Sequence, residues 1–302
     1  MRICSLALLI LCAPCAAATI SVGPGSDAPT MAEALRQAQD GDTLDVLSGD
    51  HLGDVAVITQ RRLTIRGRAP RPVFHAAGRH AEGKAIWVVR DGEIDIDNIE
   101  FRGARVPDGN GAGIRFERGR LTLTRCAFFD NEMGLLTGNV ESAELRITDS
   151  EFGLAPTHAG SLHHLLYVGR IALFELSTSH LHQGYIGHLV KSRAQVSRIV
   201  GNRIVDGPLG RASYEIDLPN GGLATIENNV IGQSALTENA AMVAFGAEGK
   251  PWPESRLVLR GNTFINDGPD VDVVRIWLDK LPADAAVETS GNKLIGPGRL
   301  PR

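Results

Sequence analysis

Gly201-Asn202-Arg203-Ile204, Asn228-Asn229-Val230-Ile231, Gly261-Asn262-Thr263-Phe264 and Gly291-Asn292-Lys293-Leu294 are one phrase written four times. The second residues are spaced by 27, 33 and 30. A fixed phrase at such a period is the signature of a repeat architecture. A short β-rich run precedes each copy: Ile199, Ala224-Thr225-Ile226, Leu257-Val258-Leu259 and Val287-Glu288-Thr289. The residue before the asparagine is Gly three times and Asn once, the two types that most easily take φ > 0. The phrase therefore predicts a tight left-handed bend, an asparagine within it, and a strand restarting two places later. Stacked coils would put these amides about 4.8 Å apart, close enough to hydrogen-bond as a ladder.

The same register runs backwards. Three residues before Asn202 stands Ile199, and equivalent anchors are Leu176, Ile147, Leu123, Ile96 and Ile65. Ser179, Ser150 and Cys126 then take the ladder position. From Ile65 to Thr289 the anchors are spaced by 31, 27, 24, 29, 23, 27, 33 and 30, which makes nine coils with turns of variable length. The reading is an all-β chain, a single-stranded parallel β-helix of about nine coils. Residues 66–83 and 102–112 read as Gly/Arg/Pro-rich loops, and Glu248–Pro253 as a longer turn that accounts for the interval of 33. Thr30-Met31-Ala32-Glu33 is a capping box, and Met31, Ala34, Leu35 and Ala38 share a face. Residues 28–40 are predicted to be a short helix that covers the first coil.

The N-terminus reads as a secretory signal over residues 1–18: Arg2, an apolar run from Ile3 to about Ala13, and Ala16-Ala17-Ala18 as the cleavage site. The run is too short to span a membrane. Residues 19–302 form the β-helix domain, expected to be secreted or periplasmic. Cys4, Cys12 and Cys15 leave with the signal, and Cys126 alone admits no intrachain disulfide. Without Arg2, 30 basic residues face 35 acidic ones, a net charge of −5. There is no basic block and no RNA-type motif, so nucleic acid is not an expected partner. The expected state is a monomer.

The opening Ile20–Gly25, the Ala-rich helix, Asp40-Gly41-Asp42-Thr43-Leu44 and Leu63–Gly67 resemble the right-handed parallel β-helix proteins of the pectin-lyase-like superfamily. The resemblance covers almost all of the chain after residue 18. It implies a polysaccharide, usually an acidic one, lying along the outside of one sheet. That fold also hosts hydrolases, epimerases, esterases and adhesins, so the reaction has to be read from a site.

Histidine is concentrated: His158, His163, His164, His180, His182 and His188 fall within one stretch. Tyr167, Lys191 and Asp217 precede their anchors by 9, 8 and 9 residues, which stacks them in one column. His164, His188 and Glu215, at 12, 11 and 11, form a second column beside it. This convergence suits β-elimination on a uronic acid, which needs a cation for the carboxylate, a base for the α-proton and an acid for the leaving oxygen. Lys191, His188, Arg193 and Tyr167 are the expected catalytic residues. Lys191 or His188 is the base, Lys191 through a pKa lowered by Arg193, and Tyr167 or a histidine is the acid. His164, Tyr214, Glu215 and Asp217 are the expected substrate-binding residues.

The Lys191-Ser192 step resembles a segment of the chondroitinase B and alginate lyase family, whose lysine is the base. That resemblance implies acidic calcium ligands just upstream and an arginine on the next coil. Gly184 and Ile186 stand in the first place and the Asp217-Leu218-Pro219 region in the second. No cofactor is therefore expected, and calcium only if other ligands supply it. His180 and His182 read as turn residues, and no His/Cys spacing points to a metal. Two other readings stay open: a glycoside hydrolase using Glu215 with Asp217, and a binding or scaffold protein without turnover.

Overall fold

A computed structural model of the chain describes residues 17–157 and 162–301. The expected signal over residues 1–18 falls almost wholly outside the described residues, as does His158. The strands form three parallel sheets of eleven, ten and nine strands, and each coil visits the first, second and third sheet in turn. The strands are two to six residues long, and each hydrogen-bonds to its equivalents on the adjacent coils. This is a parallel β-helix.

The anchor register is correct. Ile65 pairs with Ile96, Ile96 with Leu123, and so on through Ile147, Leu176, Ile199, Ile226 and Leu259 to Thr289. Two further rungs precede it, with Leu44 on Ile65 and Ile20 on Leu44. The bend residues Asn98, Arg125, Asp149, Thr178, Gly201, Asn228, Gly261 and Gly291 all have φ between 47° and 69°. Each accordingly takes the left-handed conformation, and glycine is used at three of the eight.

The ladder forms as expected. Asn202 Nδ2 and its backbone N–H both donate to Asn229 Oδ1, at 3.0 and 2.8 Å. Asn229 repeats this on Asn262 and Asn262 on Asn292. Each asparagine Nδ2 also donates to the carbonyl of an anchor on the preceding coil: Leu176, Ile199, Ile226 or Leu259. Ser179 and Ser150 continue the ladder to the Cys126 amide. Cys126 is buried, and burial pushes its thiol up to about 12, so it is inert packing and not a reactive group.

Inside, the second sheet contributes a column of rings, Phe74, Phe101, Phe128 and Phe152, with successive centroids 6.1, 5.1 and 4.5 Å apart. Each such buried side chain contributes about 1.5–3 kcal/mol through the water it sheds. Among the described residues one α-helix occurs, Met31–Gln37. Its capping box is complete, and Asp54 accepts from the Met31 amide at 2.9 Å. The helix is shorter than the expected 28–40. Ala38 is already extended, and the Asp42 carboxylate draws the Gln39 amide and the Ala18 amide into the first coil. The expected loop 66–83 also contains a strand, Val73–His75, which carries Phe74 into the core.

Candidate functional site

On the third sheet a four-residue phrase recurs with two outward residues flanking two inward ones. It reads His164-Leu165-Leu166-Tyr167, then His188-Leu189-Val190-Lys191, then Tyr214-Glu215-Ile216-Asp217. The inner pairs are buried, and the outer residues stack from coil to coil. Tyr167 pairs with Lys191 and Lys191 with Asp217, as the first expected column requires. The second column is His164, His188 and Tyr214, with ring centroids 4.7 and 5.2 Å apart.

Glu215 does not belong to that column. It stands where Leu165 and Leu189 stand and is buried inside the coil, which leaves it no face toward a substrate. Burial, and then the charge of Asp206, hold its carboxyl well above the usual range. The signal was present in the spacing. A column at 9, 8 and 9 residues from the anchors requires its neighbour at 12, 11 and 12, which selects Tyr214.

Lys191 Nζ lies 3.0 Å from Asp217 Oδ2 and 2.7 Å from Glu248 Oε1. The other Glu248 oxygen is 2.6 Å from Arg193 Nη2. Arg193 also donates through Nε to the Tyr167 hydroxyl at 2.9 Å and through Nη1 to Asn220 Oδ1 at 2.8 Å. Trp252 Nε1 donates to the Arg193 carbonyl, and Arg170 lies over the Trp252 ring at 3.9 Å. Glu248, Asn220 and Trp252 complete the cluster, and no expected site residue named them. Glu248 and Trp252 come from the long turn that makes the 33-residue interval, where strand periodicity carries no information.

Burial disfavours the Lys191 ammonium, but Asp217 and Glu248 outweigh it and raise the pKa above the ordinary lysine value. The expected lowering by Arg193 does not occur, because Glu248 bridges and neutralises both cations. For Asp217 burial dominates over the pull of Lys191 and holds its carboxyl up. Burial also pushes on Glu248, but Lys191 and Arg193 bring its carboxyl below the usual range.

The two histidines are neutral. His164 Nδ1 accepts from the His188 amide at 2.9 Å, and His188 Nδ1 accepts from the Tyr214 amide at 3.2 Å. A protonated ring cannot accept, and burial followed by neighbouring positive charge depresses His164 to about 3 and His188 to about 2. His188 Nε2 lies 3.3 Å from Asp217 Oδ2. With the Nδ1 lone pair taken by the Tyr214 amide, neutral His188 has none left for a substrate proton.

Two clefts meet at Tyr167 and Asn139. One is lined by Lys84, Arg115 and His164 among others, the second by Arg170, Arg193, Asn220 and Lys250. Of their lining residues with full charges, five are cations and Asp108 alone is an anion. The calcium implied by resemblance does not fit here. Gly184 and Ile186 offer no carboxylate, and Asp217 and Glu248 are taken by Lys191 and Arg193.

No protein-family model matches the chain, and a search of curated proteins finds no match. Among solved structures, an alginate lyase from a Paenibacillus species is similar at a TM-score of 0.52 and 17% identity, covering 94% of this chain and 97% of that one. A lacto-N-biosidase from Eubacterium ramulus follows at 0.49 and 10%, covering 92% and 68%. A pectin methylesterase from Aspergillus niger stands at 0.43 and 11%, covering 92% and 86%. At these identities the likeness is one of fold.

Proposed function

We propose that the third-sheet groove is the active site of an exported enzyme that binds an acidic polysaccharide and acts on it as a lyase or epimerase. One observation carries the reading. A carboxylate, that of Glu248, is held between Lys191 and Arg193, and Arg193 and its partner Tyr167 line clefts whose charged residues are basic but for Asp108. A uronate carboxylate entering the groove finds the same two cations. The alginate lyase of similar fold is consistent with a carbohydrate-active β-helix but does not decide the reaction.

In the proposed step Arg193, with Asn220, takes the substrate carboxylate as Glu248 swings out. Covering the site removes water, and a buried ion pair in a dry site favours its neutral form. Asp217, at 3.0 Å, takes the proton of Lys191. The neutral amine then removes the α-proton, the C–O bond at the β-carbon breaks, and the double bond forms between the α- and β-carbons. Tyr167, whose oxygen accepts from Arg193, has its own hydrogen free for the leaving oxygen. An epimerase shares the first proton transfer and returns a proton to the other face. With Glu215 buried, the hydrolase reading loses one of its two carboxylates.

The test is a panel of polyuronates followed by the ultraviolet absorbance of the unsaturated product, with the wild type beside Lys191→Ala and Tyr167→Phe. Turnover on at least one polymer, reduced roughly 10²–10⁴-fold in each variant, is expected of a general base and acid. The salt bridges among Lys191, Arg193, Asp217 and Glu248 favour a second reading, a binding protein whose coils they tie together. Retention of polyuronates with neither unsaturated product nor epimerised residues would establish it.

A further inference from the structure

On the second sheet, away from the groove, three side chains from two coils converge. His180 and His182 are separated by one residue, Leu181, which is buried. Strand alternation therefore sends both imidazoles to the same outer face. Glu151 pairs with His180 directly, one coil below. Gly153 occupies the position below His182, where a side chain would collide with the ring, since a Cβ there would lie 2.5 Å from it. The glycine lets the imidazole lie down against the preceding coil and reach the carboxylate.

Glu151 Oε1 is 3.0 Å from His182 Nε2 and 3.8 Å from His180 Nδ1. One donor atom from each of the three residues lies within 4.8 Å of the others. Tetrahedral zinc with bonds of about 2.0–2.1 Å separates its ligand atoms by about 3.3 Å, within the range set by these contacts. The ring of His182 is also oriented. Gln183 Oε1 stands 3.0 Å from His182 Nδ1, and a carbonyl oxygen accepts, so Nδ1 carries the hydrogen. Nε2 then directs its lone pair at a carboxylate oxygen 3.0 Å away. Two lone pairs at that separation require a positive charge between them, a proton or a metal ion. A ligating imidazole that gives its other N–H to an oxygen acceptor is the usual arrangement around bound zinc. The side chains of His180 and Glu151 are each 42% exposed and that of His182 17%, so an ion can enter and retain a water.

We propose that Glu151, His180 and His182 form a binding site for a divalent transition-metal ion, zinc foremost, with at least one position open to solvent. The ion ties the coil of Glu151 to the coil of the two histidines, where the described residues hold no disulfide. Two imidazoles and a carboxylate select zinc-like ions over calcium and magnesium, which prefer all-oxygen sets. Sequence reading passed over this pair because its third ligand is 29 residues away and is brought in by the coil stacking alone.

The test uses the full chain without an affinity tag, stripped with a chelator and titrated with Zn²⁺ by calorimetry, and with Co²⁺ by visible absorption. One ion per chain is expected, with intense bands of low-coordinate cobalt and a melting temperature that rises with Zn²⁺. His182→Ala and Glu151→Gln should each weaken binding tenfold or more, while His75→Ala, at another surface His–Asp pair, should leave it unchanged. Circular dichroism of the metal-free variants separates lost ligation from lost folding. No saturable binding, or binding equal in wild type and in folded His180→Ala and His182→Ala variants, would overturn the site and leave a protonated hydrogen-bonded cluster only.

Discussion

At the scale of single residues, Glu248 is the pivot of the groove. It pairs with Lys191 and Arg193 together, so in the proposed reaction a uronate carboxylate has to displace it. Glu248→Gln removes the internal competitor while keeping the shape of the side chain. Affinity for polyuronates is expected to rise about three- to tenfold, read by affinity electrophoresis, because the binding-competent form is no longer a minor one. Equal or weaker binding would make Glu248 a structural tie. Arg193→Lys tests the opposing partner. A lysine cannot reach Tyr167, Asn220 and an anion at once, so KM should rise about tenfold or more with little change in melting temperature.

At the scale of elements, the asparagine ladder is a row of buried amides that satisfy one another. Asn229 accepts from Asn202 twice and donates to Ile199 and Asn262. Asn229→Ala leaves several of those groups unmet inside the coil, at about 1–3 kcal/mol each before the neighbours relax. Denaturant unfolding should show a clear loss for Asn229→Ala and a smaller one for Asn292→Ala, whose place at the end of the ladder is half-exposed. Asn229→Ser should fall between them, since Ser179 and Ser150 already take the acceptor role on earlier coils. Equal losses at all positions would mean that the ladder is not the source. The ladder was legible in the sequence because its spacing, bend residues and anchors repeat together. The end of the helix was not, since the Gln39 amide leaves the helical pattern for the Asp42 carboxylate, which the Ala18 amide also meets.

At the scale of the whole molecule, buried titratable groups set the pH response. Glu215 has a folded pKa raised above its unfolded value, so it stays protonated in the fold at pH values where the unfolded chain is ionised. Its contribution is present below about pH 4.3 and is lost as pH rises through the raised value. Asp206, pushed up to about 6 by burial, acts in the same direction. His164 and His188 act oppositely. Their folded pKa values are depressed, so stability is lost as pH falls below about 6.5. The isosteric Glu215→Gln variant separates the two trends. Its melting temperature relative to wild type should increase from pH 5 to pH 8, measured by scanning calorimetry at matched salt. A difference independent of pH would mean that Glu215 is ionised in the fold.

The sequence by itself determined the coil register, the bends, the ladder and the column of Tyr167, Lys191 and Asp217. These follow from local rules, namely strand alternation, the tolerance of Gly and Asn for positive φ, and a period that fixes which residue lies over which. Even the misplacement of Glu215 was correctable from spacing, because its slot matches Leu165 and Leu189. The tertiary structure alone decided the charge states and the partners supplied by irregular chain. Glu248 reaches Lys191 from a turn 57 residues later, and its arrival converts a lysine expected to be easily deprotonated into one held charged. Glu151 meets His182 only because one coil sits on the next and Gly153 leaves room for the ring. Periodicity sets which residues stack, but burial and the charges that loops bring in set what those residues can do.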